Sequence, residues 1–508
     1  MLIDRKVGFS SVWVLPPADR TQGRATRQSG NVITCGTLPY GTPLEPVKLH
    51  SFPYKLKTTK TVMGGTVKNE FHYHLKDFFA IYSSSVYVVR DIGSSSKIKL
   101  LSVADMNADT EFTKTDMDIF GANGIEKWAD VALTGAFEFI LVGCPAINIT
   151  VDVKIKSTTM TVTIQDVTGI LYTVKGNIDK DHEDDYGKSD YIGNKADPKH
   201  LIIKVDKDHA NFKGNGFSMT ETITGGIFTD GGTISTTELD KQIKSVIEGC
   251  DYYGSFGQNS TAVIKAIRTI AKGKRVPSII DIMGCETVAE VTAWIGLLGF
   301  SAYDVVWLWN REKYGYNSGS MEIGLSGWYL GHRVAKNQSA LKGIVEDRVN
   351  GIGFRDYPVI RQVVKKSSVL SDDDKESLVA LRVNATEDSR GVVVLGDILS
   401  GETKNTFLKN NAVANGEVFL ARAIARLIED EFGHNILIAK KKLDTFIRIL
   451  FENAEGLNYF DLEAPFPFLF ELADKEGDTI VCTYCYYPTG AVRKGQVEPM
   501  LCAVEGKL

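Results

Sequence analysis

Apolar and polar positions change rhythm several times along the chain, and each change predicts a different kind of element. Between residues 100 and 243 they alternate, as in Ile147–Ile155 and Thr159–Ile164, with Thr, Val, Ile, Lys and Asp sharing the runs. A period of two sends successive side chains to opposite faces of a strand, so this stretch is expected to be β-rich. From about Lys244 the pattern becomes apolar Val246–Tyr253, helical Ala262–Ala271, strand Val276–Met283, helical Thr287–Leu298 and strand Tyr303–Trp309. Strands joined by helices imply a parallel or mixed sheet covered on both faces. Upstream, Val32-Ile33-Thr34 leads into a turn-rich passage from Gly36 to Pro46, then a helical segment around Glu70–Ala80 and the strand Val86–Arg90. If the βαβ sheet recruits Val86–Arg90, residues 100–243 become an insertion between two halves of one domain.

After about Gly343 comes the strand Gly391–Leu395, then two amphipathic helices. One carries Leu420, Ile424, Leu427 and Ile428 on a single face, and the other Leu443, Phe446, Ile447 and Leu450. Ile480–Tyr487 and Val497–Val504 are the last strand candidates. The first thirty residues read differently: a short apolar run (Val12, Trp13, Val14, Leu15), then Pro16-Pro17, then a polar stretch with Arg20, Arg24 and Arg27 up to Gly30. Such a stretch buries too little apolar area to fold alone and is expected to be a strand on an extended linker. The expected fold class is α/β and α+β multidomain. It comprises an arm and linker at 1–30, a βαβ mixed-sheet domain at 31–99 and 244–342, a β-rich insertion at 100–243, and a C-terminal α+β domain at 343–508 with a strand arm at its end.

With 508 residues, 43% hydrophobic and 24% charged, the chain is long enough for about three domains of ordinary globular composition. A net charge of −5 offers no general attraction for nucleic acid or an anionic membrane. The opening from Met1 to Gly8 lacks the apolar core of a signal peptide, and nowhere do roughly 18 uncharged apolar residues follow one another. A protein made and kept in a cytoplasm, or released by lysis, is expected. Seven scattered cysteines (Cys35, Cys144, Cys250, Cys285, Cys482, Cys485, Cys502) do not form a disulfide framework, and most are expected to be reduced core residues.

Chemistry is hard to find. A nucleophile elbow needs Gly-x-Ser-x-Gly, and in Gly324-Leu325-Ser326-Gly327-Trp328 a tryptophan takes the second glycine's place. His332 lies near Ser326 in sequence, but no acidic residue to orient it is identifiable. Cys482 and Cys485 lack a second Cys/His pair, and in a strand their sulfurs would point to opposite faces, which argues against zinc. His72 and His74 are spaced two apart, unlike the i,i+4 pair of a metal-binding helix, so a packed or partly exposed pair is expected. Asp181 to Asp185 lacks the spacing of a calcium loop, and no phosphate or dinucleotide glycine motif appears. No catalytic residue, metal or cofactor is expected.

The order of segments carries more. Val32-Ile33-Thr34-Cys35-Gly36-Thr37-Leu38-Pro39-Tyr40-Gly41-Thr42-Pro43-Leu44-Glu45-Pro46-Val47 is followed by Leu75-Lys76-Asp77-Phe78-Phe79 and Val86-Tyr87-Val88-Val89-Arg90. Later come Ser326-Gly327-Trp328-Tyr329-Leu330-Gly331-His332-Arg333-Val334-Ala335 and Val392-Val393-Val394-Leu395-Gly396-Asp397-Ile398-Leu399. This layout resembles the tail sheath proteins of contractile phages and related injection systems. It departs from that family's pattern at Leu395, where Trp is usual, and at Asp397 and Ile398, where Ala and Arg are.

The resemblance implies a non-enzymatic subunit stacked in a six-fold helical array of identical copies around a rigid tail tube. The array would contract to drive the tube through a host envelope. It further implies contact with tube, baseplate and tail terminator proteins, a place in the virion tail after assembly in the host cytoplasm, and neither direct nucleic-acid binding nor membrane insertion. Terminal arms would add strands to neighbouring subunits, here Val12, Trp13, Val14 and Leu15 at one end and Met500, Leu501, Cys502, Ala503 and Val504 at the other. The bland alternative is that both strands pair inside their own domain. Arg422, Arg426, Lys440, Lys441 and Lys442 are candidates for tube contact, against the alternative of a solvated helix face. Competing readings of the whole chain are another virion structural protein, such as a baseplate component, and an α/β hydrolase.

Overall fold

The computed structural model describes residues 30–488 apart from 39, 51–69, 82–84, 122–123, 129, 131, 134, 144–145, 168, 317–318, 340–358, 360–362, 366–368, 390–391, 396–398, 405, 456–458 and 476–478. In chain order, β1 (Val32–Gly36), β2 (Val47–Leu49), α1 (Glu70–Ile81) and β3 (Val86–Arg90) come first. Nine strands follow: β4 (Lys97–Val103), β5 (Thr113–Asp118), β6 (Phe137–Ile140), β7 (Ile149–Lys156), β8 (Thr159–Asp166), β9 (Gly169–Asn177), β10 (Ile202–Val205), β11 (Phe217–Ile223) and β12 (Phe228–Thr229). Then come α2 (Thr236–Lys244), β13 (Tyr252–Gly254), α3 (Thr261–Gly273), β14 (Ser278–Ile282), α4 (Val288–Leu298) and β15 (Val305–Trp309). They lead to β16 (Lys313–Tyr316), β17 (Gly319–Glu322), α5 (Ser326–Ser339), β18 (Val363–Lys365), α6 (Asp372–Leu381), β19 (Val383–Ser389) and β20 (Val392–Leu395). The chain continues with α7 (Asn411–Asp430), α8 (Ile436–Glu455), β21 (Phe468–Lys475) and β22 (Thr479–Tyr486).

An eight-stranded sheet ordered β2-β3-β1-β13-β14-β15-β19-β20 organises the molecule. Its inner pairs run parallel, and only the edge strands β2 and β20 pair antiparallel. Every residue of β14 and β15 is buried, as a sheet with helices on both faces requires. On one face Val32, Val86, Val88, Ile279, Val306 and Leu308 pack under α1 and α5. On the other, Ile33, Val89, Ile280, Val305 and Trp307 pack under α2, α3, α4 and α6.

β1 joins β3 on one side and β13 on the other, so segments before and after the β4–β12 region share one sheet. That region forms two sheets, β10-β6-β4-β12 with β5 on β4 and β11-β7-β8-β9, which enclose a common core including Phe137, Phe139, Val151 and Val162. At the junction the buried Arg90 guanidinium donates to Leu38 O at 2.7 Å, Gly41 O at 2.9 Å and Gly143 O at 3.0 Å, and lies over the Phe228 ring. It binds turns from both units at once.

Two details depart from the sequence reading. The central sheet does not stop near residue 343, because β19 pairs in parallel with β15 and β20 completes the edge. A short apolar run such as Val392–Leu395 announces a buried strand without naming its sheet. Within the apolar stretch Val246–Tyr253, Ile247–Gly249 is a 3-10 turn and the strand begins only at Tyr252. The strand candidate Val497–Val504 lies outside the described residues.

Candidate functional site

Active sites of open α/β sheets sit beyond the carboxyl ends of the parallel strands, and here that place holds Asp281, Ser326 and His74. Each is fully buried. Asp281 Oδ1 accepts the main-chain N–H groups of Leu325 (2.6 Å) and Ser326 (2.8 Å), so a carboxylate caps the positive end of α5. Its Oδ2 accepts from Ser326 Oγ at 2.5 Å, Ser255 Oγ at 3.0 Å and Gly257 N at 3.1 Å. Gly327 N donates to His74 Nδ1 at 3.1 Å, which assigns the proton to Nε2, 3.3 Å from Glu70 Oε1.

This wiring is not that of a nucleophile. The Ser326 hydroxyl gives its proton to Asp281 and accepts from Phe256 N at 3.0 Å, so no imidazole is hydrogen-bonded to it. Packing is tight where α5 meets α1: a Cβ on Gly327 would lie 2.4 Å from His74 O. The cluster bolts α1 and α5 to β14. Sequence proximity suggested His332 as the partner of Ser326, yet His332 packs edge-on against Trp328, with centroids 5.0 Å apart. The histidine and the carboxylate that adjoin Ser326 come from α1 and β14, and no sequence spacing links them. Of the two arrangements expected for His72 and His74, the structure shows the packed one, with both buried. At the rim, Glu322 accepts from Gly284 N at 3.0 Å. Burial, reinforced by the charges of Glu70 and Asp281, pushes its carboxyl up to about 6.

The C-terminal layer is a different kind of surface. Leu420, Ile424, Leu427, Leu443, Ile447 and Leu450 face one another between α7 and α8, with Ile428 and Phe446 at the edge. The β21–β22 hairpin lays Phe468, Phe470, Tyr484 and Tyr486 on this core, and Phe451 stacks on Phe460, Phe468 and Phe470. Glu417 of α7 fastens the hairpin by accepting the hydroxyls of Tyr484 (2.8 Å) and Tyr486 (2.9 Å). Within β22 the pleat turns Cys482 towards the core and leaves Cys485 exposed, and neither is in a disulfide.

The predicted basic residues separate. Arg422 does not lie on an outward face: its side chain is 10% exposed and donates to Cys250 O at 2.8 Å and Asp251 O at 3.2 Å. Spacing of i,i+4 sets Arg422 and Arg426 on one side of a helix but does not reveal which neighbour packs there. Arg426 and Lys441 are exposed. Lys440 pairs with Asp474 at 3.3 Å and Lys442 with Glu431 at 3.2 Å. Sequence reading missed the exposed apolar side chains Phe432, Leu437 and Ile438 at the α7–α8 turn, since it attended only to the stripe facing inward. The arm strands, Val12–Leu15 and Met500–Val504, lie outside the described residues. Among the described residues no group of three or more His, Cys, Asp or Glu is placed to hold a metal ion, and no helix is long and apolar enough to cross a membrane.

No protein-family model and no curated protein sequence matches the chain. Solved structures do. The sheath tail protein from Desulfitobacterium hafniense aligns with a TM-score of 0.53 at 10% identity, covering 94% of this chain and 100% of that one. A chain of the six-fold symmetrised anti-feeding prophage baseplate aligns at TM-score 0.51 and 10% identity, covering 98% and 100%. The contracted helical sheath of the anti-feeding prophage aligns at TM-score 0.51 and 9% identity, covering 97% and 99%. At such identities the likeness is one of fold, and it runs nearly end to end. The chain has the fold of the contractile tail sheath proteins.

Proposed function

We propose that the protein is the sheath subunit of a contractile injection particle, a structural protein that polymerises in a six-fold helical array around a rigid tube and contracts to drive it through an envelope. The observation that carries this reading is the coverage: at least 94% of this chain and 99% of each of the three sheath-system chains align, so all regions take part in the match. A fold shared with an enzyme would leave an open site at the strand ends, whereas the polar groups found there are buried and spent on one another.

In this reading the central sheet with its helices, from residues 31–99 and 244–395, forms the body of the subunit, 100–243 an outward insertion, and the α7–α8 layer with its hairpin the tube-facing side. Arg426 and Lys441, with Phe432, Leu437 and Ile438 nearby in the chain, are its contacts to the tube. The hairpin supports the exchange of arms, because among the described residues β21 and β22 form a sheet of two strands with no third strand on either side. Val12–Leu15 and Met500–Val504 of neighbouring copies would add to those edges by β-augmentation. Baseplate and terminator proteins would end the array in a particle tail assembled in the host cytoplasm.

Electron microscopy of the purified protein with its tube tests the proposal. Long helical tubes are expected from the full chain, and none from variants lacking residues 1–17 or 499–508, although these should unfold at near-normal temperature. Discrete small oligomers from the full chain would overturn it. The alignment to a baseplate chain favours a second reading, a component confined to the baseplate, for which a single closed ring is the expected product.

A further inference from the structure

Asp251 stands where three parts of the chain meet. Its carboxylate is buried, and Oδ2 accepts the N–H of Gly30 at 2.7 Å. Oδ1 lies 3.5 Å from Arg422 Nη1, and the same guanidinium holds the carbonyls of Cys250 and Asp251. The connection between Gly30 and the sheet is reinforced on both sides. Asp251 N donates to Asn31 O at 2.8 Å, and Asn31 Nδ2 donates to Gly249 O at 2.9 Å. Gly30 has φ of +73°, a left-handed conformation that favours glycine, so the chain turns at the point where the carboxylate grips it.

A buried carboxylate needs donors or a cation beside it, and a buried guanidinium needs acceptors, so Asp251 and Arg422 hold each other in place. Arg422 belongs to α7, whereas Asp251 leads into β13 of the central sheet. The grip on Gly30 is therefore set by the helical layer as well as by the sheet. We propose that Gly30, Asp251 and Arg422 form a clasp that fixes where the N-terminal arm leaves the subunit relative to the α7–α8 layer. The arm's point of departure and the α7–α8 layer of the same subunit then keep a constant geometry while the contacts between subunits exchange. This proposal rests on the sheath reading for its purpose but not for its geometry.

The test uses the full chain with Arg422→Gln, which removes the charge, and Arg422→Lys, which keeps the charge but loses the fork. Val162→Ala, in the core of the β4–β12 region, serves as a control for loss of thermal stability away from the clasp. In the unassembled subunit, amide exchange at Gly30 and Asp251, whose N–H groups bond to Asp251 Oδ2 and Asn31 O, is expected to quicken by about tenfold or more in Arg422→Gln, as for the loss of a charge-assisted hydrogen bond, with β3 unchanged. Arg422→Lys should fall between, and supplies the measurement if the glutamine variant fails to fold. On assembly, Arg422→Gln should give short or no sheaths where Val162→Ala gives full ones. Unchanged exchange at Gly30 and Asp251, or sheaths from the glutamine variant as long as the control's, would overturn the clasp. If wild-type protein forms no sheath, the sheath reading fails, and the exchange result still decides the clasp.

Discussion

Replacing Ser326 with alanine separates a catalytic serine from a structural one. The hydroxyl donates to Asp281 Oδ2 at 2.5 Å and accepts from Phe256 N at 3.0 Å, in a fully buried site. Its loss removes a hydrogen bond to a charged group, worth about 1.5–3 kcal/mol, and leaves the Phe256 N–H without that acceptor, a cost of about 1–3 kcal/mol. Asp281 keeps Ser255 Oγ and Gly257 N on the same oxygen, so the two losses do not add fully and a total of about 3 kcal/mol is expected. For a domain of this size, each kcal/mol lowers the midpoint by about 2–4 °C, giving a fall of roughly 6–12 °C. Because the chain has several cores, the transition must be followed by a probe in the central sheet, such as the fluorescence of buried Trp307 and Trp309. A midpoint unchanged by Ser326→Ala would refute the accounting. Loss of an esterase or peptidase activity from pure protein would refute the structural role altogether.

Glu322 provides a pH test: its carboxyl lies at about 6 against an ordinary 4.5, so between these values the folded state binds more protons than the unfolded one and stability falls as pH rises. Glu322→Gln should flatten that slope in urea titrations between pH 4.5 and 6, and an unchanged slope would place its origin elsewhere. Arg90→Ala strips the hydrogen-bonded guanidinium from three carbonyls at the junction with the β4–β12 region. It should cost about 3 kcal/mol or more, the scale of losing charge-assisted hydrogen bonds and leaving buried carbonyls without donors, with faster proteolysis near residues 91–96 as the readout. Reversing Arg426 and Lys441 to glutamate should weaken decoration of an acidic tube at low salt while changing subunit stability by less than about 1 kcal/mol, since both are exposed. Equal decoration would remove these two residues from the tube contact.

Sequence periodicity alone determined much of the local structure. Thr159–Ile164 alternates and is a strand, Thr287–Leu298 carries a capping box at Thr287 and Glu290 and is a helix, and the stripes of α7 and α8 face each other. These are short-range consequences of where side chains project, and need no knowledge of distant residues. What only the tertiary structure decided is pairing across long separations. Nothing in the spacing of Arg422 indicates that it spans to Cys250 and Asp251, and nothing around Ser326 announces His74 of α1 and Asp281 of β14. The edge strand Val392–Leu395 likewise gave no sign of which sheet it completes. Burial and hydrogen-bond partners arise from how elements pack, and many packings satisfy one local pattern. Periodicity therefore specifies which face of an element is buried, while the fold alone specifies against what.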